Sequence, residues 1–147
     1  MSLGDLYQEV IMDHYARPRN RGELPAPDVS FELHNPVCGD RIRVQARLED
    51  GRVADVRFSG QGCSISQASA SMMTQLVKGK GLADVRGLIE RFLAMMKGEA
   101  GDYKPLGEAQ ALQGVARFPV RIKCATLAWH VLEEGLRRHE EGAADGR

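Results

Sequence analysis

Three cysteines, Cys38, Cys63 and Cys124, and one aspartate two residues beyond the first, Asp40, carry the strongest chemical potential in this chain. Thiolates bind soft metal ions and attack sulfur, and a carboxylate oxygen can complete a tetrahedron around an ion held by three of them. Soft sulfur donors select zinc or iron-sulfur clusters. An aspartate holds such a centre less firmly than a fourth cysteine or a histidine would, so the site should exchange ligands more readily than a sealed structural one. Three thiols cannot all pair internally, and the count reads as reduced cysteine. Glycine surrounds the set: Gly39 separates Cys38 from Asp40, and Gly60 and Gly62 precede Cys63. These positions let the backbone turn tightly and approach an ion.

Each residue also has a plainer reading. A single intracellular cysteine is usually a small buried apolar group, and an aspartate often caps a turn. The shared glycine-rich or helix-start setting favours one joint site. His34 lies close enough to Cys38 to be a reserve ligand, yet it alternates with Phe31 and Leu33 as an ordinary strand residue. His14, His130 and His139 fall on helix faces. Met72, Met73, Met95 and Met96 have core spacing, and Trp129 reads as a core anchor. No Cys-His-Asn or Ser-His-Asp grouping stands out, which argues against a hydrolase.

The elements that must position these groups follow from periodicity. Leu3, Leu6, Tyr7, Val10, Ile11 and His14 share one side of an opening helix that Pro18 stops. Residues 19–27 read as loop, then Val29, Phe31 and Leu33 as a strand ended by Asn35-Pro36. Ile42, Val44, Ala46 and Leu48 alternate with Arg41, Arg43, Gln45 and Arg47 in a half-buried strand. The Asp50-Gly51 turn leads to a third strand with Ala54, Val56 and Phe58 on one face. A helix capped by Ser64 or Ser66 follows Cys63 and ends at Gly79 and Gly81, and Val85 to Met96 gives another. A short helix is expected over 108–116. Pro119 interrupts, and Ile122, Ala125, Trp129, Leu132 and Leu136 mark a last helix with Cys124 in its first turn. The fold class is α+β, a small three-stranded antiparallel sheet with helices packed on one face.

A hairpin centred on Asp50-Gly51 opposes residues whose numbers sum to about 101, provided no bulge intervenes. Cys38 then faces Cys63, and Asp40 lies on the same rim. Cys63 and Cys124 both fall at predicted helix N-termini, where the macrodipole favours a thiolate, and Arg121 and Lys123 add positive charge beside Cys124.

At 147 residues the chain is expected to form one domain over 1–139, with a polar tail over 140–147. Lys+Arg and Asp+Glu are equal at 20 each. Without a basic face beyond short clusters such as Arg17, Arg19 and Arg21, nucleic acid is not an expected partner. The apolar runs are far shorter than the roughly 20 residues of a membrane span, and no cationic leader opens the chain. A cytoplasmic location without membrane contact is expected.

Three motifs are specific enough to name a family: Asn35-Pro36-Val37-Cys38-Gly39-Asp40, Gly60-Gln61-Gly62-Cys63 with Ser66 and Ala68-Ser69 behind it, and Lys123-Cys124-Ala125. Together they resemble the IscU and SufU family of iron-sulfur cluster assembly proteins, from the first helix to about Arg138. The resemblance implies that Cys38, Asp40, Cys63 and Cys124 hold Zn2+ or a transient [2Fe-2S] cluster. A cysteine desulfurase of the SufS type is the implied partner, with downstream cluster scaffolds or apo-acceptor proteins beyond it. It also implies Cys38 as persulfide acceptor, Cys124 as a candidate sulfur relay and Arg121 as a candidate thiolate stabiliser. IscU-type scaffolds carry a histidine before the third cysteine and a Leu-Pro-Pro-Val-Lys motif upstream; this chain has Lys123 and Phe118-Pro119-Val120-Arg121-Ile122. The inserted stretch around 98–118 and the run Arg121-Ile122-Lys123-Cys124-Ala125-Thr126-Leu127 are similar to the SufU branch. There, by resemblance, zinc first quiets the acceptor thiol until a histidine of the desulfurase takes over a zinc position. Three readings follow: a zinc-dependent sulfurtransferase-like persulfide acceptor, a scaffold for a labile [2Fe-2S] cluster, and a structural zinc adaptor.

Overall fold

The computed structural model describes residues 3–36 and 39–144, so Cys38 lies outside the described residues. Helix α1 (Leu3–Ala16) precedes strands β1 (Val29–Asn35), β2 (Asp40–Glu49) and β3 (Arg52–Gln61). Helices α2 (Ser64–Val77) and α3 (Leu82–Met96), a 3-10 segment (Lys104–Arg117) and helix α4 (Pro119–Ala144) complete the chain. The strands form one antiparallel sheet in the order β1-β2-β3. Ile42, Val44, Ala46, Val56 and Phe58 are fully buried on its covered face, as the alternation requires. Burying an aliphatic or phenyl side chain of this kind contributes about 1.5–3 kcal/mol.

The hairpin departs from the simple register. Glu49 faces Arg52 and Leu48 faces Val53, but the next pair is Arg47 with Asp55, so Ala54 is an extra residue in β3. From there to Arg41 opposite Gln61 the sum of paired numbers is one higher than expected. Val53 therefore takes the buried position expected for Ala54, which is only half-buried.

The hairpin tip is tied to the far end of α2. The Val53 N–H donates to the Lys80 carbonyl, the Gly79 N–H to the Val53 carbonyl and the Leu82 N–H to the Gly51 carbonyl. Helix α2 lies in the middle of the helical layer, packed against α1, α4 and β3. Its buried residues are mostly small: Ser66, Ala68, Ser69, Ala70 and Ser71 let neighbouring helices approach closely, while Met72 and Met73 fill the core beyond. Trp129 stacks on Phe92 with centroids 4.0 Å apart and planes 7° from parallel, joining α4 to α3.

Two helix starts differ from expectation. Cys63 itself is the N-cap residue of α2, without a side-chain capping bond, so neither Ser64 nor Ser66 caps it. Pro119 opens α4 rather than interrupting, because a proline at the first helical position loses no intrahelical bond. Cys124 consequently sits in the second turn of α4, beyond the orphan N–H groups of the first. The expected short helix is a longer 3-10 run broken at Gly107, whose φ is 55°. Helix α4 continues through Ala144, into the stretch expected as a tail. Among the described residues no helix is long and apolar enough to cross a membrane.

Candidate metal centre

Asp40 opens β2 directly opposite Asn35, at the end of the sheet where β3 leaves for α2. Its carboxylate is 1% exposed. Oδ1 accepts the Cys63 N–H at 2.9 Å, while Oδ2 is buried with no hydrogen-bond partner. Burying a carboxylate oxygen without a partner costs several kcal/mol unless a cation faces it.

Gly62 makes the approach feasible. A Cβ at this position would lie 2.3 Å from Asp40 Oδ1 and 2.5 Å from Ser66 Oγ, so any side chain would displace the carboxylate. Gly60 serves the sheet instead, since its Cβ would come within 1.9 Å of the Arg41 carbonyl oxygen.

Cys63 is half-buried at the start of α2, and its carbonyl accepts the Gln67 N–H at 3.2 Å and the Ser66 hydroxyl at 3.0 Å. Cys124 is buried and its Sγ reaches the Val120 carbonyl at 3.9 Å. Its position is set by Ser69, whose hydroxyl donates to the carbonyl of Ala125 and accepts the indole N–H of Trp129.

One carboxylate oxygen of Asp40 and the sulfurs of Cys63 and Cys124 all lie within 4.8 Å of one another. Around a tetrahedral zinc ion, with bonds of about 2.0–2.3 Å, neighbouring ligand atoms are about 3.5–3.8 Å apart. Small side-chain adjustments close that gap. The donor set and the orphaned Oδ2 therefore fit a soft divalent cation, and this is the sole group of its kind among the described residues.

Arg121 projects from the first turn of α4 toward the same sulfurs. Attraction to Cys63, followed by a hydrogen bond and attraction to Cys124, raises its pKa, and the guanidinium stands as a fixed positive charge beside the two sulfurs. The cationic influence on Cys124 thus comes from this side chain rather than from the helix terminus. Of the sequence-derived candidates, Asp40, Cys63, Cys124 and Arg121 come together, and Cys38 lies outside the described residues. His34 does not join them: it is largely exposed and lies 3.2 Å from Glu32. Lys123 is exposed. The sequence offered Ser66 as a helix cap and Ser69 as part of a motif; the Ser66 hydroxyl instead donates to the Cys63 carbonyl, and the bonds of Ser69 depend on which face of α2 meets α4.

Comparison with known proteins identifies the fold's relatives. The family described as "NifU-like N terminal domain" matches residues 6–142. The zinc-dependent sulfurtransferase SufU of Bacillus subtilis is 50% identical over 142 residues, covering 96% of each chain. The iron-sulfur cluster assembly scaffold protein IscU of Streptococcus pyogenes is 43% identical over 92% of this chain and 86% of its own. A crystal structure from Fervidobacterium islandicum, described as an iron-sulfur cluster assembly scaffold for the SUF system, superposes with a TM-score of 0.82. It is 30% identical and the match covers 92% of this chain and 99% of that one. Matched by that family model over residues 6–142 and 50% identical to a relative over nearly its whole length, the chain belongs to the NifU-like N-terminal domain family.

Proposed function

We propose that this protein is a zinc-dependent persulfide acceptor of iron-sulfur cluster assembly, taking sulfur from a SufS-type cysteine desulfurase. The observation that carries the reading is the buried Asp40 carboxylate, one oxygen unpartnered, set against two cysteine sulfurs beneath the Arg121 guanidinium. The relative that is 50% identical over nearly its whole length, named a zinc-dependent sulfurtransferase, supports it.

In this reading Asp40, Cys63 and Cys124, with Cys38, hold the metal, which when bound supplies a redox-silent positive charge to the thiolates. Cys38 is the acceptor. Its thiolate attacks the outer sulfur of the cysteine persulfide on the desulfurase, the donor S–S bond breaks, and the donor cysteine leaves as a thiolate. The new S–S bond resides on Cys38, with no net oxidation. Arg121 balances the negative charge on the sulfurs, and Cys124 is a candidate to receive the sulfur next. An aspartate in the set permits the ligand exchange that such an acceptor needs.

The test combines metal analysis of gently purified protein with desulfurase turnover. The intact protein should carry zinc and accelerate the enzyme, and Cys38→Ala should abolish both the acceleration and the persulfide label. Unchanged acceleration by that variant refutes the proposal.

A second reading, a scaffold for a labile [2Fe-2S] cluster, rests on the same donors and on the 43% identical relative named a scaffold. Anaerobic reconstitution followed by transfer to an apo-acceptor decides between them.

A further inference from the structure

We infer that the exposed apolar patch between α1 and the start of α4, with its basic rim, is the surface on which the sulfur-donating enzyme docks; this rests on the persulfide-acceptor reading. The large hydrophobic side chains left exposed among the described residues are four: Met12 (47%), Tyr15 (45%), Phe118 (61%) and Val120 (63%). Two are one turn apart on α1 and two flank Pro119 at the head of α4. Met12 and Phe118 line one groove of about 420 Å³, together with Ile11, Ile65 and Val115.

This groove is lined by residues that adjoin the candidate metal centre along the chain. Its wall includes Ser64 and Ile65, the two residues directly after Cys63. On the other side, the Phe118 carbonyl accepts the Arg121 N–H at 2.8 Å, and the Arg121 guanidinium reaches the sulfurs of Cys63 and Cys124. A protein that brings a persulfide to these sulfurs must cover the patch. Clustered exposed apolar groups beside a reactive site mark an interaction surface, whereas scattered ones do not.

Charge narrows the occupant. Arg117, Arg121 and Lys123 are exposed around Phe118 and Val120, and no acidic residue occurs between Glu108 and Glu133. Asp13, the carboxylate next to Met12, is engaged by Arg17 and Arg19. A second copy meeting this patch face to face would bring like charges together, which disfavours self-association. The complementary partner presents an apolar side chain to the groove, flanked by carboxylates. The desulfurase is therefore expected to carry such an acidic, apolar-tipped segment beside its persulfide cysteine.

Titration calorimetry with the desulfurase tests this. Phe118→Ser should weaken binding about tenfold or more, as loss of an aromatic anchor does. Serine is also a favourable residue at this helix start, so the fold should hold. Met12→Ser, on the other wall, should weaken binding in the same direction. Arg117→Glu should weaken binding and flatten its salt dependence. All three should keep zinc content and thermal midpoint, and Lys97→Glu, just past the end of α3, should bind as the intact protein does. Intact-like binding by the Phe118, Met12 and Arg117 variants would overturn the docking inference and leave the acceptor reading standing. If the intact protein itself neither binds the desulfurase nor takes sulfur, both fall. Sedimentation showing a dimer lost in Phe118→Ser would reassign the patch to a second copy. Phe118-dependent binding to phosphatidylglycerol vesicles, with desulfurase affinity unchanged, would reassign it to a membrane surface.

Discussion

The hydroxyl of Ser69 donates to the carbonyl of Ala125 at 2.5 Å, fixing α4 against α2 one residue away from Cys124. The same oxygen accepts from Trp129 Nε1 at 2.9 Å, so one buried serine joins the core tryptophan to the site. Ser69→Ala leaves the indole N–H without this partner, at a cost of about 1–3 kcal/mol. The thermal midpoint should fall by several degrees and zinc should be lost to a chelator more readily. Calorimetry and a chelator competition measure the two effects; a fall in midpoint with zinc retention unchanged would confine Ser69 to stability.

Asp40→Asn separates charge from shape. The amide can still accept the Cys63 N–H, but it brings no negative charge to the buried position of Oδ2. Zinc affinity should drop by at least about tenfold while the metal-free protein stays folded. Chelator competition with circular dichroism of the stripped protein reads both, and unaltered affinity would remove Asp40 from the ligand set.

The two glycines before Cys63 should fail differently when replaced by alanine. Gly62→Ala pushes a methyl group into Asp40 Oδ1 and Ser66 Oγ, and its main effect should be loss of metal with most of the fold retained. Gly60→Ala drives the methyl into the Arg41 carbonyl of the neighbouring strand, and the ladder must part. The expected destabilisation is about 1–3 kcal/mol or more, visible as a lower urea midpoint.

Acid should destabilise the protein through His14. This side chain is fully buried, with Nδ1 2.8 Å from Ser71 Oγ and Nε2 3.4 Å from Glu108 Oε1. Burial lowers its pKa below 6.5 and the nearby Arg19 charge adds to this, against opposing contributions from Glu108 and Asp13. Below 6.5 the unfolded chain therefore binds more protons than the folded one, and stability rises with pH. The contribution is complete above 6.5 and is lost as pH falls from there toward the folded-state value. Urea midpoints should be lower at roughly pH 5 than at neutrality, and His14→Gln should flatten that difference.

Much of this site could be read directly from residue types. The alternation in β2, the Asp50-Gly51 turn and the glycines before Cys63 bring Asp40 and Cys63 together by local rules, and the helical pattern ending at Leu136 delivers Cys124. What escaped was the extra residue at Ala54, because a bulge answers to sheet twist and to the docking of Val53 on Gly79 and Lys80, neither of which leaves a local pattern. Pro119 escaped for a related reason, since proline both ends one helix and begins the next, and the ambiguity displaced Cys124 by a turn. His14 read as a helix-face residue; its burial depends on α2 and the 3-10 segment closing over it. The groove at Phe118 was not legible at all, being made by elements over a hundred residues apart.

All three donors in the described residues take their bearings from α2: Asp40 through the Cys63 amide, Cys63 as its N-cap, and Cys124 through Ser69. Among descendants of this chain, tolerance to substitution should accordingly be lopsided. The run from Ser66 to Ser71 has no room to enlarge, whereas the outward side of α3 and the later turns of α4 can drift. A redesign that retains α2 and its two hydrogen-bonded flanks could replace much of that exterior and still inherit the chemistry.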